Sequence, residues 1–359
     1  MSRVVDLKGG RIYNHLDMDI QDFYYTLPKR LIAQFPAKRR DRSRLLILNR
    51  KDGQIQHRHF FQIVEFLGPE DVMVINNTKV IPARLLGQKA TGGRAELLIL
   101  DGHRGRDGLW PCLIRGHRVR VGTRLLFSQG LKAEVREVKG EGVFLVEFDD
   151  SGRLPKVLSE AGLLPLPPYI KRDSPLPLDG ERYQTVYAAS EGAAAAPTAG
   201  LHFTRELLAQ LEERGVTIVP ISLHVSYGSF MPIRARRVEE HGVPEEWFQV
   251  GEDTAAVINR ARALGKRLVA VGTTTVRALE TAVEGGYVVP KEGYTGLYIY
   301  PGYRFKVVDA MITNFHLPGS SLILLVSAFA GRELILRAYG EAIRRGYRFL
   351  SYGDAMLIL

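Results

Sequence analysis

The 359-residue sequence has a single cysteine, Cys112. One thiol cannot close an intrachain disulfide, nor can it supply the cysteine cage of a structural zinc or an iron–sulfur cluster. No CxxC or HExxH spacing occurs, so no metal site is expected. A G-x-G-x-x-G run is missing, which removes the usual dinucleotide loop, and so is the G-x-S-x-G elbow of many serine hydrolases. Long hydrophobic runs are scarce: the longest apolar stretch, Leu322 to Ala330, is far short of the ~20 residues that span a bilayer. Met1 to Asp22 alternates charged and apolar residues without the apolar block of a signal peptide. These absences lead to the expectation of a soluble, cytoplasmic protein with no prosthetic group, no metal and no membrane contact. A monomer is the preferred oligomeric state, on no sequence feature.

Positive charge, by contrast, is abundant. Lysine and arginine number 49 against 39 acidic residues, a formal net charge of +10. Three clusters carry much of it: Lys38, Arg39, Arg40, Arg42 and Arg44; Arg115, His117, Arg118, Arg120 and Arg124; and Arg234, Arg236 and Arg237. A solvated face is the plain reading of each cluster. Three of them without matching acidic runs form a candidate phosphate-tracking surface, in which Arg39, Arg40, Arg115, Arg118, Arg120, Arg234, Arg236 and Arg237 are candidate contacts.

A chain of this length suggests two domains of roughly 150 residues. Arg44 to Asn49 and Asp71 to Asn76 read as strands, with a short helix at Phe60 to Leu67. From about residue 81 to 152 the texture changes to six short β-like runs separated by glycine, the pattern of a small β-barrel. Beyond a proline-rich connector (Leu163 to Ile170), strands are expected at Thr217 to Val225, Trp247 to Val250, Arg267 to Val271 and Gly296 to Tyr300. They alternate with helices at Arg205 to Glu213, Asp253 to Ala263, Thr275 to Glu284, Ser320 to Phe329 and Glu333 to Arg345. The expected fold is α/β: a discontinuous mixed-sheet domain (1–80 with 153–359) carrying an inserted barrel (81–152).

Four segments are too rich in small, hydroxyl and imidazole residues to be plain core. In Ala196 to Thr204, Thr204 can cap the following helix, while Gly200 and His202 stand just before its N-terminus. His224 ends a strand, where open α/β sheets hold ligands, although a satisfied core histidine fits the position equally. In Val269 to Arg277 a buried strand ends at Gly272 and the threonines Thr273, Thr274 and Thr275 form a turn whose amides and hydroxyls suit a polar or anionic ligand; a capped βα turn is the bland alternative. In Thr313 to Ser321, Asn314 and His316 share one face if the segment is extended. Four polar strand ends at one sheet edge describe the substrate cleft of a metal-free enzyme.

At these same segments the chain resembles the S-adenosylmethionine:tRNA ribosyltransferase-isomerase family of queuosine biosynthesis. The resemblance runs through LIAQFPAKRRDRSRLLILNR (Leu31 to Arg50), NNTKVIPARL (Asn76 to Leu85), LPLPPYI (Leu164 to Ile170), YQTVYA (Tyr183 to Ala188), APTAGLHFT, VGTTTVRALET, IYPGYRFKVVDAMITNFHLP (Ile299 to Pro318), SAFAG and SYGDAMLI. It implies a barrel joined to an α/β domain. It also implies transfer and isomerisation of the ribosyl part of S-adenosylmethionine onto 7-aminomethyl-7-deazaguanine at the wobble position of tRNA, releasing adenine and methionine and leaving epoxyqueuosine. That chemistry needs a base for the proton beside the sulfonium and an acid for departing adenine. His202, His224 and His316 are the imidazole candidates, with Asp309 and Glu280 as carboxylate candidates. On this reading the Thr273–Thr275 turn and Arg277 hold the methionine carboxylate, and Tyr183 and Tyr300 stack on adenine or the deazaguanine. Thr198, Gly200, Gly272 and Asn314 complete the expected substrate contacts. The chain departs from the family's usual residues at Val243 to Glu246, where methionine, histidine, a small residue and glutamate are common, and at Gly319, where many members carry lysine. A tRNA base methyltransferase and a tRNA-binding protein without catalysis are the alternative readings.

Overall fold

Buried aliphatic runs build the centre of the molecule. In the computed structural model, residues 18–102, 108–172, 175–226, 233 and 235–359 are described. β1 (Arg44–Leu48) and β2 (Ile55–His59) form an antiparallel hairpin. β3 (Asp71–Asn76) is buried at every position, as expected of a strand covered on both faces. β4 (Thr78–Val80) then leaves the sheet. Next come β5 (Arg84–Lys89), β6 (Arg94–Ile99), β7 (Trp110–Arg115), β8 (Arg124–Phe127), β9 (Lys132–Val138) and β10 (Val143–Phe148). These six close into an antiparallel barrel in the order β10-β7-β6-β5-β8-β9. Leu85, Leu97, Cys112, Leu125, Val135 and Val146 fill its interior, and α1 (Leu154–Ala161) adds Leu154, Val157 and Leu158 to the same apolar cluster.

The chain returns through α2 (Pro177–Arg182) and β11 (Ser190–Ala193), which pairs in parallel with β4. There follow α3 (Arg205–Glu213), β12 (Thr217–Leu223), β13 (Glu246–Val250), α4 (Glu252–Ala263), β14 (Arg267–Val271) and α5 (Thr273–Thr281). A small hairpin, β15 (Val283–Glu284) and β16 (Tyr287–Val288), precedes β17 (Lys291–Thr295) and β18 (Ala310–Asn314). The chain ends with α6 (Ser321–Ala330), α7 (Arg332–Arg344) and β19 (Ala355–Ile358). The main sheet has nine strands in the order β17-β13-β12-β3-β14-β18-β19-β1-β2. β12, β3, β14 and β18 run parallel, whereas β19 is antiparallel to β18.

Side-chain alternation assigns each strand residue to one of two cores. Val72, Val74, Leu268, Ala270 and Met311 face α4 to α7, while Met73, Ile75, Val269, Val271 and Ile312 face α3 and Phe60. The fold is thus the mixed-sheet α/β body with a barrel expected from the sequence.

Two local expectations need correction. Gly296 to Tyr300 is not a strand; the edge strand is Lys291–Thr295, whose pairing with β13 decides its place although its outward residues are polar. The three threonines form no turn. They are the first residues of α5, with Gly272 before them at φ +94°. No helix among the described residues is long and apolar enough to cross a membrane.

Candidate active site

Four parallel strands deliver their carboxyl ends to one edge of the sheet, and Asn76 at the end of β3 ties that edge together. Its Nδ2 donates to the Leu223 carbonyl (2.9 Å) and to Thr274 Oγ1 (3.3 Å), while Oδ1 accepts from the amides of Leu223 (3.0 Å) and Thr78 (3.1 Å). One buried amide thereby fixes β3, β12 and the start of α5. Beside it opens a cleft lined by Thr198, Gly272, Thr273, Thr274, Asn314 and His316 among others. A second hollow adjoins it and shares Thr198, Asn314, His316 and Leu322. The amides in the first turn of α5 have no intrahelical acceptor by geometry, so they present donors at this wall. Thr275 is turned inward, its Oγ1 donating to the Val271 carbonyl at 2.7 Å.

The three histidines occupy different places. His316 borders both hollows. Its Nε2 lies 2.8 Å from Thr313 Oγ1, the Tyr339 hydroxyl accepts from its amide, and its carbonyl accepts from Tyr25. Burial pushes its pKa down to about 3, so it is neutral near pH 7. His202 sits beyond Asn314 in an adjoining pocket, stacked on Phe60 at 5.0 Å, with Nδ1 2.7 Å from Ser43 Oγ. Burial, helped by the charges of Arg348 and Arg40 and opposed by the Asn314 amide, also brings it to about 3. His224 stands behind the wall. It stacks on Trp247 at 4.6 Å, Thr78 Oγ1 is 2.7 Å from its Nδ1, and a methyl placed on Gly192 would come within 2.6 Å of Nε2. It joins β4, β11 and β13 rather than lining the cleft, which favours the core-histidine reading over the catalytic one.

Several expected contacts are engaged elsewhere. Arg277 borders the cleft, but its guanidinium is held by the buried Glu246 and by the carbonyls of Leu297 (2.9 Å) and Thr295 (3.1 Å). Glu246 also accepts from the Ser226 amide at 2.7 Å. Holding the methionine carboxylate would compete with this network. Asp309 precedes β18 at the opposite end of the sheet, accepting from the Leu268 amide at 2.8 Å. Glu280 is spent on the amides of Lys306, Val307 and Val308 and on the Tyr303 hydroxyl. Tyr183 is fully buried edge-on to Tyr352, and Tyr300 packs on Tyr298, so neither presents a face to the cleft. Gly200 is a packing glycine: a Cβ there would meet the Tyr187 hydroxyl at 2.2 Å. Gly319, at φ +62°, has the Tyr24 ring 2.3 Å from where a Cβ would stand, so a side chain here requires Tyr24 to move.

Of the basic candidates, Arg115, Arg118 and Arg120 are exposed at one end of the barrel. Arg39 pairs with Asp41 (3.0 Å), Arg236 with Asp19 (3.2 Å) and Arg237 with Glu240 (3.8 Å). Arg40 is half-buried on main-chain carbonyls. Arg234 lies outside the described residues. The residues reasoning from sequence missed are Asn76, Ser43, Arg182, Glu246 and Ser351. Asn76 carried a signal, since a polar residue closed an otherwise buried strand.

The family model described as "Queuosine biosynthesis protein" matches residues 20–358. The chain is 52% identical to S-adenosylmethionine:tRNA ribosyltransferase-isomerase of Moorella thermoacetica, over 95% of this chain and 100% of that protein. It is 51% identical to the protein of the same name from Aquifex aeolicus, with the same coverage. A crystal structure of S-adenosylmethionine tRNA ribosyltransferase from Thermotoga maritima is similar at 38% identity and a TM-score of 0.54, covering 94% of this chain and 100% of that one. With its cleft at the carboxyl edge of the sheet and its barrel between β4 and α1, this chain belongs to the S-adenosylmethionine:tRNA ribosyltransferase-isomerase family of queuosine biosynthesis.

Proposed function

We propose that the chain transfers and isomerises the ribosyl moiety of S-adenosylmethionine onto the aminomethyl group of 7-aminomethyl-7-deazaguanine in tRNA, giving epoxyqueuosine, adenine and methionine. The observation that carries this reading is the cleft in which the Thr198 segment, the Gly272–Thr274 segment and the Asn314–His316 segment meet, in a chain of this family. S-Adenosylmethionine is the ribosyl donor, a substrate rather than a bound cofactor. The enzyme acts as a cytoplasmic monomer without a prosthetic group.

His316 is the proton acceptor we assign to the carbon beside the sulfonium. It borders the cleft, is neutral before the donor binds, and has its ring oriented by Thr313. A neutral imidazole can take up a proton, whereas an imidazolium beside a sulfonium would be repelled. The first-turn amides of α5 and the Thr274 hydroxyl face the polar parts of the donor. The exposed arginines of the barrel supply phosphate contacts to the tRNA.

Incubation with S-adenosylmethionine and tRNA carrying the deazaguanine, followed by nucleoside mass spectrometry, tests the reaction. Free adenine and methionine with epoxyqueuosine are expected; S-adenosylhomocysteine would mark methyl transfer instead. His316→Ala should lower turnover by about 10²-fold or more while the chain stays folded. Wild-type turnover in that variant removes His316 from the chemistry.

A further inference from the structure

Two guanidinium groups meet below His202 without forming an ion pair. Arg40 precedes β1, and Arg182 is the last residue of α2; both are half-buried. Their hydrogen bonds go to main-chain carbonyls: Arg40 to those of Leu201 (3.1 Å) and Glu181 (2.9 Å), Arg182 to those of Ala37 (2.8 Å) and Lys38 (3.2 Å). Burial first, and then the charge of Arg182, make Arg40 less willing to hold its proton, an effect the exposed Glu181 offsets only in part. The two groups line a small, partly open pocket together with Ser43, His202, Ser351 and Gly353.

One polar atom of this pocket's residues, Arg182 Nε, is buried without a hydrogen-bond partner, whereas His202 Nε2 is left to the Asn314 side chain. Most buried polar groups in folded proteins are paired, because leaving one unpaired forfeits its hydration without return. Two cations, an idle guanidinium N–H and a small polar hollow share one chemical demand. We propose that this pocket is an oxyanion subsite, in which a carboxylate or a phosphodiester binds between Arg40 and Arg182. The planar fork of arginine suits both groups. The pocket adjoins the cleft, since Ser351 lines both it and the hollow shared by Asn314 and His316. With Arg277 engaged by Glu246, the described residues lining the cleft include no comparable guanidinium. The identity of the anion rests on the proposed reaction, which supplies two: the methionine carboxylate of the donor and a phosphodiester of the tRNA.

Titration of the intact chain with inorganic phosphate, and separately with methionine, read by calorimetry and thermal shift, tests the pocket without any turnover. Binding of at least one probe is expected, and Arg182→Gln should abolish it. Arg182→Lys, which keeps the charge but loses the fork, should weaken it. In steady-state assays, a tenfold or greater rise of KM for S-adenosylmethionine at unchanged tRNA KM (about 1.4 kcal/mol) assigns the pocket to the carboxylate. The converse, with a shallower salt dependence of tRNA binding, assigns it to a phosphodiester. The proposal is overturned if folded Arg182→Gln keeps wild-type affinity for both probes and both substrates. Should neither variant fold, wild-type protein that binds neither probe overturns it. A chain that binds the anion through Arg182 yet makes no epoxyqueuosine would keep the pocket and sink the reaction.

Discussion

Glu246 and Arg277 form a buried pair at the edge of the cleft, joining the start of β13 to α5 and the end of β17. Removing one partner of such a pair leaves the other charged in a dry setting, typically a loss of about 3–5 kcal/mol, whereas replacing both with apolar groups costs much less. Glu246→Ala should therefore lower the urea midpoint sharply, and Glu246→Ala with Arg277→Met should recover much of the loss. A double variant as unstable as the sum of the singles would show that the pair is not a closed unit. His202 and His316 make a second residue-scale prediction. Both titrate near 6.5 when unfolded and near 3 when folded, so between those values the unfolded chain binds more protons. Their contribution is complete above about pH 6.5 and is lost as pH falls, at up to about 1.4 kcal/mol per pH unit for each histidine. Urea unfolding at steps from pH 7.5 to pH 4.5 should show this decline, and His316→Gln should flatten it. An unchanged slope in His316→Gln would remove that histidine from the acid sensitivity.

At the scale of elements, α5 begins where the cleft needs it because Gly272 turns the chain at φ +94°. A Cβ there meets Thr274 Oγ1 at 3.4 Å and Ala199 at 3.7 Å, so space is adequate and the backbone is the obstacle. Gly272→Ala should cost about 1–2 kcal/mol of stability and raise the KM for S-adenosylmethionine; an unchanged melting temperature would show that the turn relaxes freely. The barrel was legible in the sequence because its evidence is local: short β-like runs, each bounded by glycine or a turn. The ends of β12, β14 and β18 were legible for the same reason, since small and hydroxyl residues interrupt buried runs. The expected fourth end, Ala196 to Thr204, instead follows β11 outside the main sheet, and the fourth main-sheet end is Asn76 of β3. β17 was not, because an edge strand with outward Glu292 and Tyr294 is decided by its pairing with β13. Nor were the commitments of Arg277, Glu280 and Tyr183, whose partners include residues 31, 26 to 28 and 169 positions away. Spacing can say that a side chain stands near a strand end, but the partners that use it up come from tertiary packing.

For the molecule as a whole, the barrel stands beside the cleft and reaches away from it. Its base is joined to the cleft edge: β4 follows Asn76 and Asn77, β11 pairs with β4, and Gly102 donates to the Gly192 carbonyl at 3.1 Å. Its far rim gathers Lys89 at the end of β5, Arg94 at the start of β6, Arg115 at the end of β7, and Arg118 and Arg120 in the next turn. Strands of six residues at about 3.3 Å per residue, tilted by about 40° as in a closed barrel, place that rim roughly 15 Å beyond the base. A nucleic acid with its reacting base in the cleft and its backbone on the rim must therefore extend several nucleotides past that base. Changing Arg115, Arg118 and Arg120 together to glutamine should raise the KM for full-length tRNA with little effect on kcat or on the KM for S-adenosylmethionine. The slope of log affinity against log salt should become shallower by about 0.7–0.9 for each phosphate that the variant no longer neutralises. A minimal anticodon loop without its stem should be nearly indifferent to the triple change, because it cannot reach the rim. Equal losses for loop and full-length tRNA would place these arginines close to the reacting base, and no loss for either would leave the rim a solvated face.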